Sequence, residues 1–193
     1  MRKLVAPVHY DFASSLCYVA HRVIERLAVD LETLGIALDW TPLDTAQLLG
    51  WRRGEPIPEE RRANAARVAR ELAVPLAIPE RWRDARPWNA AALLARDAGR
   101  DAAFRDAAWC ALYEEPGEPA LEAVAARVGL ALDRDALAAA IPRVAQLTEQ
   151  ARDAEVSGVP TFVLAGLPLA GIQDEATMRA MLARFASRHR TRS

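Results

Sequence analysis

Cysteine is scarce in this chain: Cys17 and Cys110 are the only two in 193 residues. Two thiols so far apart do not make a disulfide scaffold. Excess charge of either sign is missing as well, with 25 basic and 26 acidic residues and a formal net charge of -1. A dedicated nucleic-acid binder carries a strongly basic footprint, so no nucleic-acid partner is expected. No apolar run approaches the roughly 20 residues needed to cross a bilayer, and no membrane partner is expected. The opening Met1 to Pro7 is too short in its apolar part for a secretory signal. A cytoplasmic protein is the expectation. Three histidines and two cysteines without ligand spacing exclude the common zinc patterns, so no metal is expected.

What the chain does have is a core. At 52% hydrophobic residues it can fold as one domain, or as one domain carrying a large insertion. Residues 8–12 alternate, with Val8, Tyr10 and Phe12 on one side and His9 and Asp11 on the other, which predicts a half-buried strand. Ser14 and Ser15 then read as an N-cap pair. Leu16, Ala20, Val23, Ile24, Leu27, Leu31 and Leu34 follow at helical spacing, with Gly35 as the stop. A second strand is expected over 36–43.

From residue 58 to about 150 the periodicity is helical and broken by Pro, Gly and acidic turns. The expected helices are 62–72, 89–98, 101–113, 120–128, 135–141 and 143–156, the last two divided at Pro142. The pattern returns to β at Gly158. Residues 159–164 and 167–170 form a hairpin about Ala165-Gly166, and Asp174 caps a helix over 175–186. The basic tail 188–193 is expected to fray. Strand–helix–strand, a helical insertion and strand–strand–helix is the order of an α/β thioredoxin-like fold. Residues 1–55 and 151–193 would form the thioredoxin-like domain, and 56–150 an inserted helical subdomain.

Two segments carry the chemistry. The first, Asp11-Phe12-Ala13-Ser14-Ser15-Leu16-Cys17-Tyr18, crosses from the first strand into the first helix; the second, Gly158-Val159-Pro160-Thr161-Phe162-Val163, opens the third strand. On these motifs the chain resembles the DsbA-like branch of the thioredoxin superfamily. Within it, the resemblance is to the group of 2-hydroxychromene-2-carboxylate isomerases, kappa-class glutathione transferases and FrnE-like proteins. Gly54-Glu55-Pro56, Pro87-Trp88-Asn89 and Gly171-Ile172-Gln173-Asp174 extend it over nearly the whole chain.

Redox members of the superfamily start the tetrad with a cysteine, because free N–H groups at a helix start stabilise a thiolate. Here Ser14 stands at that position. Serine forms no mixed disulfide, so dithiol exchange by this pair is excluded. The resemblance implies instead that Ser14 donates to the sulfur of a bound glutathione, the expected cofactor. It also implies that Pro160 is cis, that Val159 docks the tripeptide backbone, and that Gln173 and Asp174 hold its γ-glutamyl end. The expected partner is a small-molecule electrophile or thiol; a homodimer is left open. Isomerisation would add and later expel the sulfur, and transfer would stop at the adduct.

Structural alternatives stand beside each role. Ser14 and Asp174 can be plain N-caps, and Pro160 an ordinary trans proline at a strand start. Cys17, one turn inside the helix, can serve a monothiol oxidoreductase, though as a poor first nucleophile. A non-catalytic binding protein is the third reading. Ser15 and Leu16 replace the proline and aromatic residue usual in the tetrad, and Glu55 replaces an asparagine. His21 is expected to be partly exposed and idle, and Cys110 to be a core residue. The tryptophans should pack, with Trp51, Trp82 or Trp88 as candidate walls of an acceptor pocket. Arg52-Arg53 and Arg61-Arg62 read as solvated faces, with anion binding as a minor option.

Overall fold

The computed structural model describes residues 3–115 and 117–190. Strand β1 (Leu4–Tyr10) leads into α1 (Ser15–Arg26), α2 (Ala28–Leu34) and β2 (Ile36–Pro42). Among the described residues six helices follow before the sheet resumes: α3 (Thr45–Leu49), α4 (Glu59–Glu71), α5 (Arg86–Asp97), α6 (Asp101–Tyr113), α7 (Leu121–Arg127) and α8 (Arg134–Asp153). The hairpin β3 (Thr161–Leu164) and β4 (Leu167–Ala170) then precedes α9 (Glu175–Arg190).

The sheet order is β2-β1-β3-β4. β1 and β2 run parallel from Leu4 opposite Ile36 to Tyr10 opposite Pro42. β3 is antiparallel to β1, with Val8 opposite Phe162, and β4 is antiparallel to β3. A parallel pair needs a crossover connection, which α1 and α2 supply; the antiparallel hairpin needs only the Ala165-Gly166 turn. Val8 and Tyr10 send buried side chains from β1 into an aromatic core with Phe12, Trp40 and Trp109. This is the expected α/β thioredoxin-like architecture with helices inserted between its halves.

Several boundaries differ from the sequence expectation. β1 begins at Leu4 rather than Val8, because pairing with β2 continues past the end of the alternating pattern. The helix expected to end at Gly35 is two helices meeting at Leu27, a buried residue whose neighbours keep helical spacing on both sides of the join. α3 has five residues, too few for periodicity to show, and is started by Asp44, whose side chain accepts from Gln47 N–H at 3.3 Å. The residue 150/151 division lies inside α8.

Pro142 does not divide α8. Ala140, Val144, Thr148 and Ala151 keep one buried face across it, and the first two pack with Ala90 and Leu93 of α5. That packing outweighs the roughly 3 kcal/mol a helix-interior proline costs. α9 extends to Arg190, past the expected end at 186, so 188–190 are helical; 191–193 of the expected frayed tail lie outside the described residues, as do Met1 and Arg2.

Candidate active site

The turn from β1 into α1 is assembled around a buried carboxylate. Asp11 Oδ1 accepts from Ala13 N–H at 2.9 Å and Asn89 Nδ2 at 2.8 Å, and Oδ2 from Thr45 N–H at 2.8 Å. Burial pushes the Asp11 carboxyl above its ordinary pKa, and these donors pull it back. Ser14 N–H closes the turn on Asp11 O at 3.0 Å. Ser14 has extended backbone angles and caps α1: Cys17 N–H bonds to its carbonyl at 3.0 Å and to its Oγ at 3.4 Å. The cap is therefore real, and its long side-chain arm leaves Ser14 half-buried on the wall of a cavity.

Cys17 faces the other way. It is 0% exposed in the core beneath the sheet, and burial pushes its thiol up to about 12 despite the Ser14 hydroxyl beside it. Burial therefore disfavours a thiolate at Cys17. This matters for every reading that relies on Cys17.

The Val159–Pro160 peptide is cis. Pro160 O accepts Gly171 N–H at 2.7 Å, tying the strand opening to the end of β4. Val159 makes no backbone hydrogen bond among the described residues, and it lines the same cavity as Ser14. The start of α1 and Val159, whose backbone N–H and C=O are unpaired among the described residues, thus line one cavity.

Its volume is about 530 Å³. Further parts of its wall come from the loop after α3 and from α4. Gly54, with φ at 79°, turns this loop so that its N–H reaches Trp82 O at 2.7 Å, and Trp82 N–H returns to Glu55 O at 2.9 Å. Pinned in this way, Trp51 and Trp82 stack at 3.9 Å between ring centroids and 21° between planes. The Arg61 guanidinium lies 5.0 Å from the Trp51 ring centroid. Arg61 and Arg62 both line the cavity, beside Glu60. Arg61 is exposed, as read from sequence, and Arg62 half-buried, and both also border this cavity; neither could be singled out among so many arginines without the fold.

Other candidates are not brought here. Trp88 is buried against Phe12 rather than lining the pocket. Gln173 and Asp174 are exposed and are not on this cavity's wall; they follow Gly171, the residue bonded to Pro160, at the end of the sheet. Asp174 caps α9, accepting from Thr177 N–H at 2.9 Å and its hydroxyl at 2.8 Å. Glu55 is exposed, pairs with Arg52 at 3.5 Å and leaves the cavity free of its charge.

His21 is not partly exposed, as expected, but 5% exposed among Trp40 and Trp109, with its pKa lowered to about 4 by burial and by Arg105 and Arg22. Cys110 is not a core residue; it is partly exposed, 2.9 Å from Arg22 Nη2. His21, Glu25 and Asp106 bring ligand atoms within 4.8 Å of one another, but Arg22 already bonds both carboxylates, at 2.5 and 2.9 Å. A cation of the protein's own fills that site.

Comparison with known proteins follows the same line. The DSBA-like thioredoxin domain model matches residues 7–183, and the chain belongs to that family. Among solved structures it is similar to a 2-hydroxychromene-2-carboxylate isomerase, with 21% identity, a TM-score of 0.75 and coverage of 98% of this chain and 100% of that one. The cytosolic disulfide reductase DsbM from Pseudomonas aeruginosa matches at 19% identity and a TM-score of 0.62, covering 98% of each chain. The oxidoreductase DsbA from Xylella fastidiosa matches at 15% identity and a TM-score of 0.60, over 98% of this chain and 88% of that one. At such identities the likeness is one of fold. No curated protein sequence matches the chain.

Proposed function

We propose that this chain is a glutathione-linked enzyme of isomerase or transferase type, with Ser14 in the place of an attacking cysteine. The observation that carries the reading is the contrast at the start of α1. Ser14 and Val159, whose backbone is unpaired among the described residues, line one cavity, while Cys17, the thiol next along the helix, is buried with its pKa raised. Glutathione, when bound, supplies the sulfur nucleophile that the protein itself does not offer.

The residues of the chain would divide the work. Val159, held beside Pro160, would pair with an extended tripeptide backbone as a strand does with a sheet edge. Ser14 would donate to the sulfur, and the free N–H groups at the start of α1 would favour its thiolate. Gln173 and Asp174 lie off this cavity's wall, so they would meet the γ-glutamyl end only where the tripeptide runs on past the Pro160–Gly171 bond. The Trp51–Trp82 wall suits a flat aromatic or conjugated electrophile, with Arg61 on its face.

The test is an ultraviolet titration of glutathione bound to wild type and to Ser14→Ala. A thiol pKa that rises in the variant, with a lower conjugation or isomerisation rate at neutral pH, supports the assignment. Superimposable titrations overturn it and leave Ser14 a helix cap.

A further inference from the structure

The turn that presents Ser14 is held largely from outside, by the inserted helices. The N–H of Phe12 donates to Asn89 Oδ1 at 3.3 Å, and its C=O accepts from the Tyr113 hydroxyl at 2.9 Å. Asn89 also donates from Nδ2 to Asp11 Oδ1 at 2.8 Å and to Leu43 O, just past β2, at 2.9 Å. Asn89 is 1% exposed on α5 and Tyr113 2% exposed at the end of α6. An apolar side chain could fill either volume. Directional bonds to one turn do something packing does not: they fix the orientation of its peptide planes.

That orientation reaches Ser14 in one step, because Ser14 N–H closes the turn on Asp11 O at 3.0 Å. Rotation of either peptide flanking Phe12 would turn the start of α1 and the Ser14 hydroxyl together relative to the cavity. The partners of the Phe12 N–H and of its C=O both come from the insertion, so the helices and the thioredoxin-like half together set the geometry of this helix start. We infer that Asn89 and Tyr113 are positioning residues for Ser14, setting the helix start that would face a bound sulfur. The inference rests on the proposed thiolate-stabilising role of that helix start, and its test uses a thiol placed there rather than glutathione.

In a Cys17→Ala, Cys110→Ala background, Ser14→Cys supplies a single thiol at the helix start. Its pKa is read from the pH dependence of its alkylation by iodoacetamide. The expected value lies below that of a free cysteine, as at other helix starts. Adding Asn89→Ala should raise it by about 1. Tyr113→Phe, which removes the hydroxyl that bonds Phe12 O and meets the Ser15 side chain and keeps the ring packing, should raise it by less and keeps the test open if Asn89→Ala fails to fold. Leu93→Ala is the control: it weakens the same helix α5 on a buried face away from the turn, and should leave the thiol pKa unchanged. A low pKa unmoved by Tyr113→Phe and Asn89→Ala, or moved equally by Leu93→Ala, overturns the inference alone. A thiol that titrates like free cysteine with Asn89 and Tyr113 intact overturns both it and the thiolate-stabilising reading.

Discussion

Ser14 and Cys17 share one hydrogen-bonding group, the Cys17 N–H, which reaches Ser14 O at 3.0 Å and Ser14 Oγ at 3.4 Å, yet their side chains belong to different environments. The serine is on a cavity wall and the cysteine is sealed in the core. One helical turn separates a group that can meet a ligand from one that cannot.

Accessibility of the two thiols should follow from that separation. Maleimide labelling of the native protein is expected to modify Cys110 and spare Cys17, giving one adduct by mass spectrometry. Denaturant should give two. Replacement Cys17→Ala removes a small buried group and is expected to cost about 1 kcal/mol of stability, within the range for loss of a single buried atom group. Ready native-state labelling of Cys17 would reopen a monothiol mechanism.

His21 gives the stability a pH dependence of definite sign. Its folded pKa, about 4, lies below the ordinary value of 6.5, so the unfolded chain takes up the proton first. The contribution of neutral His21 is fully present above pH 6.5 and is lost as the pH falls toward 4. The upper limit is roughly 3 kcal/mol, from about 1.4 kcal/mol for each unit of pKa difference. Burial lowers His9 as well and adds in the same direction. Urea titrations between pH 7 and 4 should show a smaller loss for His21→Gln than for wild type. Equal slopes would exclude His21 as the titrating group.

The stacked tryptophans offer a spectroscopic check on the cavity wall. Two indoles 3.9 Å apart couple electronically, so far-ultraviolet circular dichroism should contain a paired band that either Trp51→Phe or Trp82→Phe diminishes. Both variants are also expected to weaken binding of a flat conjugated ligand, while leaving the titration of a thiol at Ser14→Cys unchanged. Two independent indole spectra would show that the wall is not formed in solution.

Much of this was legible in the sequence because the signals are local. Period-two alternation in β1, the Ser14 cap, the Ala165-Gly166 turn and the Asp174 cap all lie within a few residues of what they specify. The site's two halves, Ser14 and Val159-Pro160, were visible for the same reason. What escaped is long-range. Asn89 bonds a turn 77 and 78 residues away in the chain, and no spacing rule connects it with Asp11 and Phe12. Arg61 became a wall residue only through Trp51, and burial of His21 depended on Trp40 and Trp109 arriving from other elements.

Pro142 shows the converse, a strong local signal overruled by packing, and it supplies a final measurement. Its missing N–H forfeits one bond of the α8 ladder, and a helix-interior proline costs about 3 kcal/mol relative to alanine. Proline also restricts the unfolded chain, which returns roughly 0.4–1 kcal/mol to the folded state. The difference predicts that Pro142→Ala stabilises the protein by about 2 kcal/mol. The buried face on either side, Ala140 and Val144, already packs with Ala90 and Leu93, so no new contact is needed for the gain. Urea unfolding read by helix signal should show a higher midpoint with an unchanged slope, since the surface exposed on unfolding stays the same. A midpoint equal to or below that of wild type would mean that the restriction proline places on the unfolded chain matches or outweighs the helix bond it forfeits.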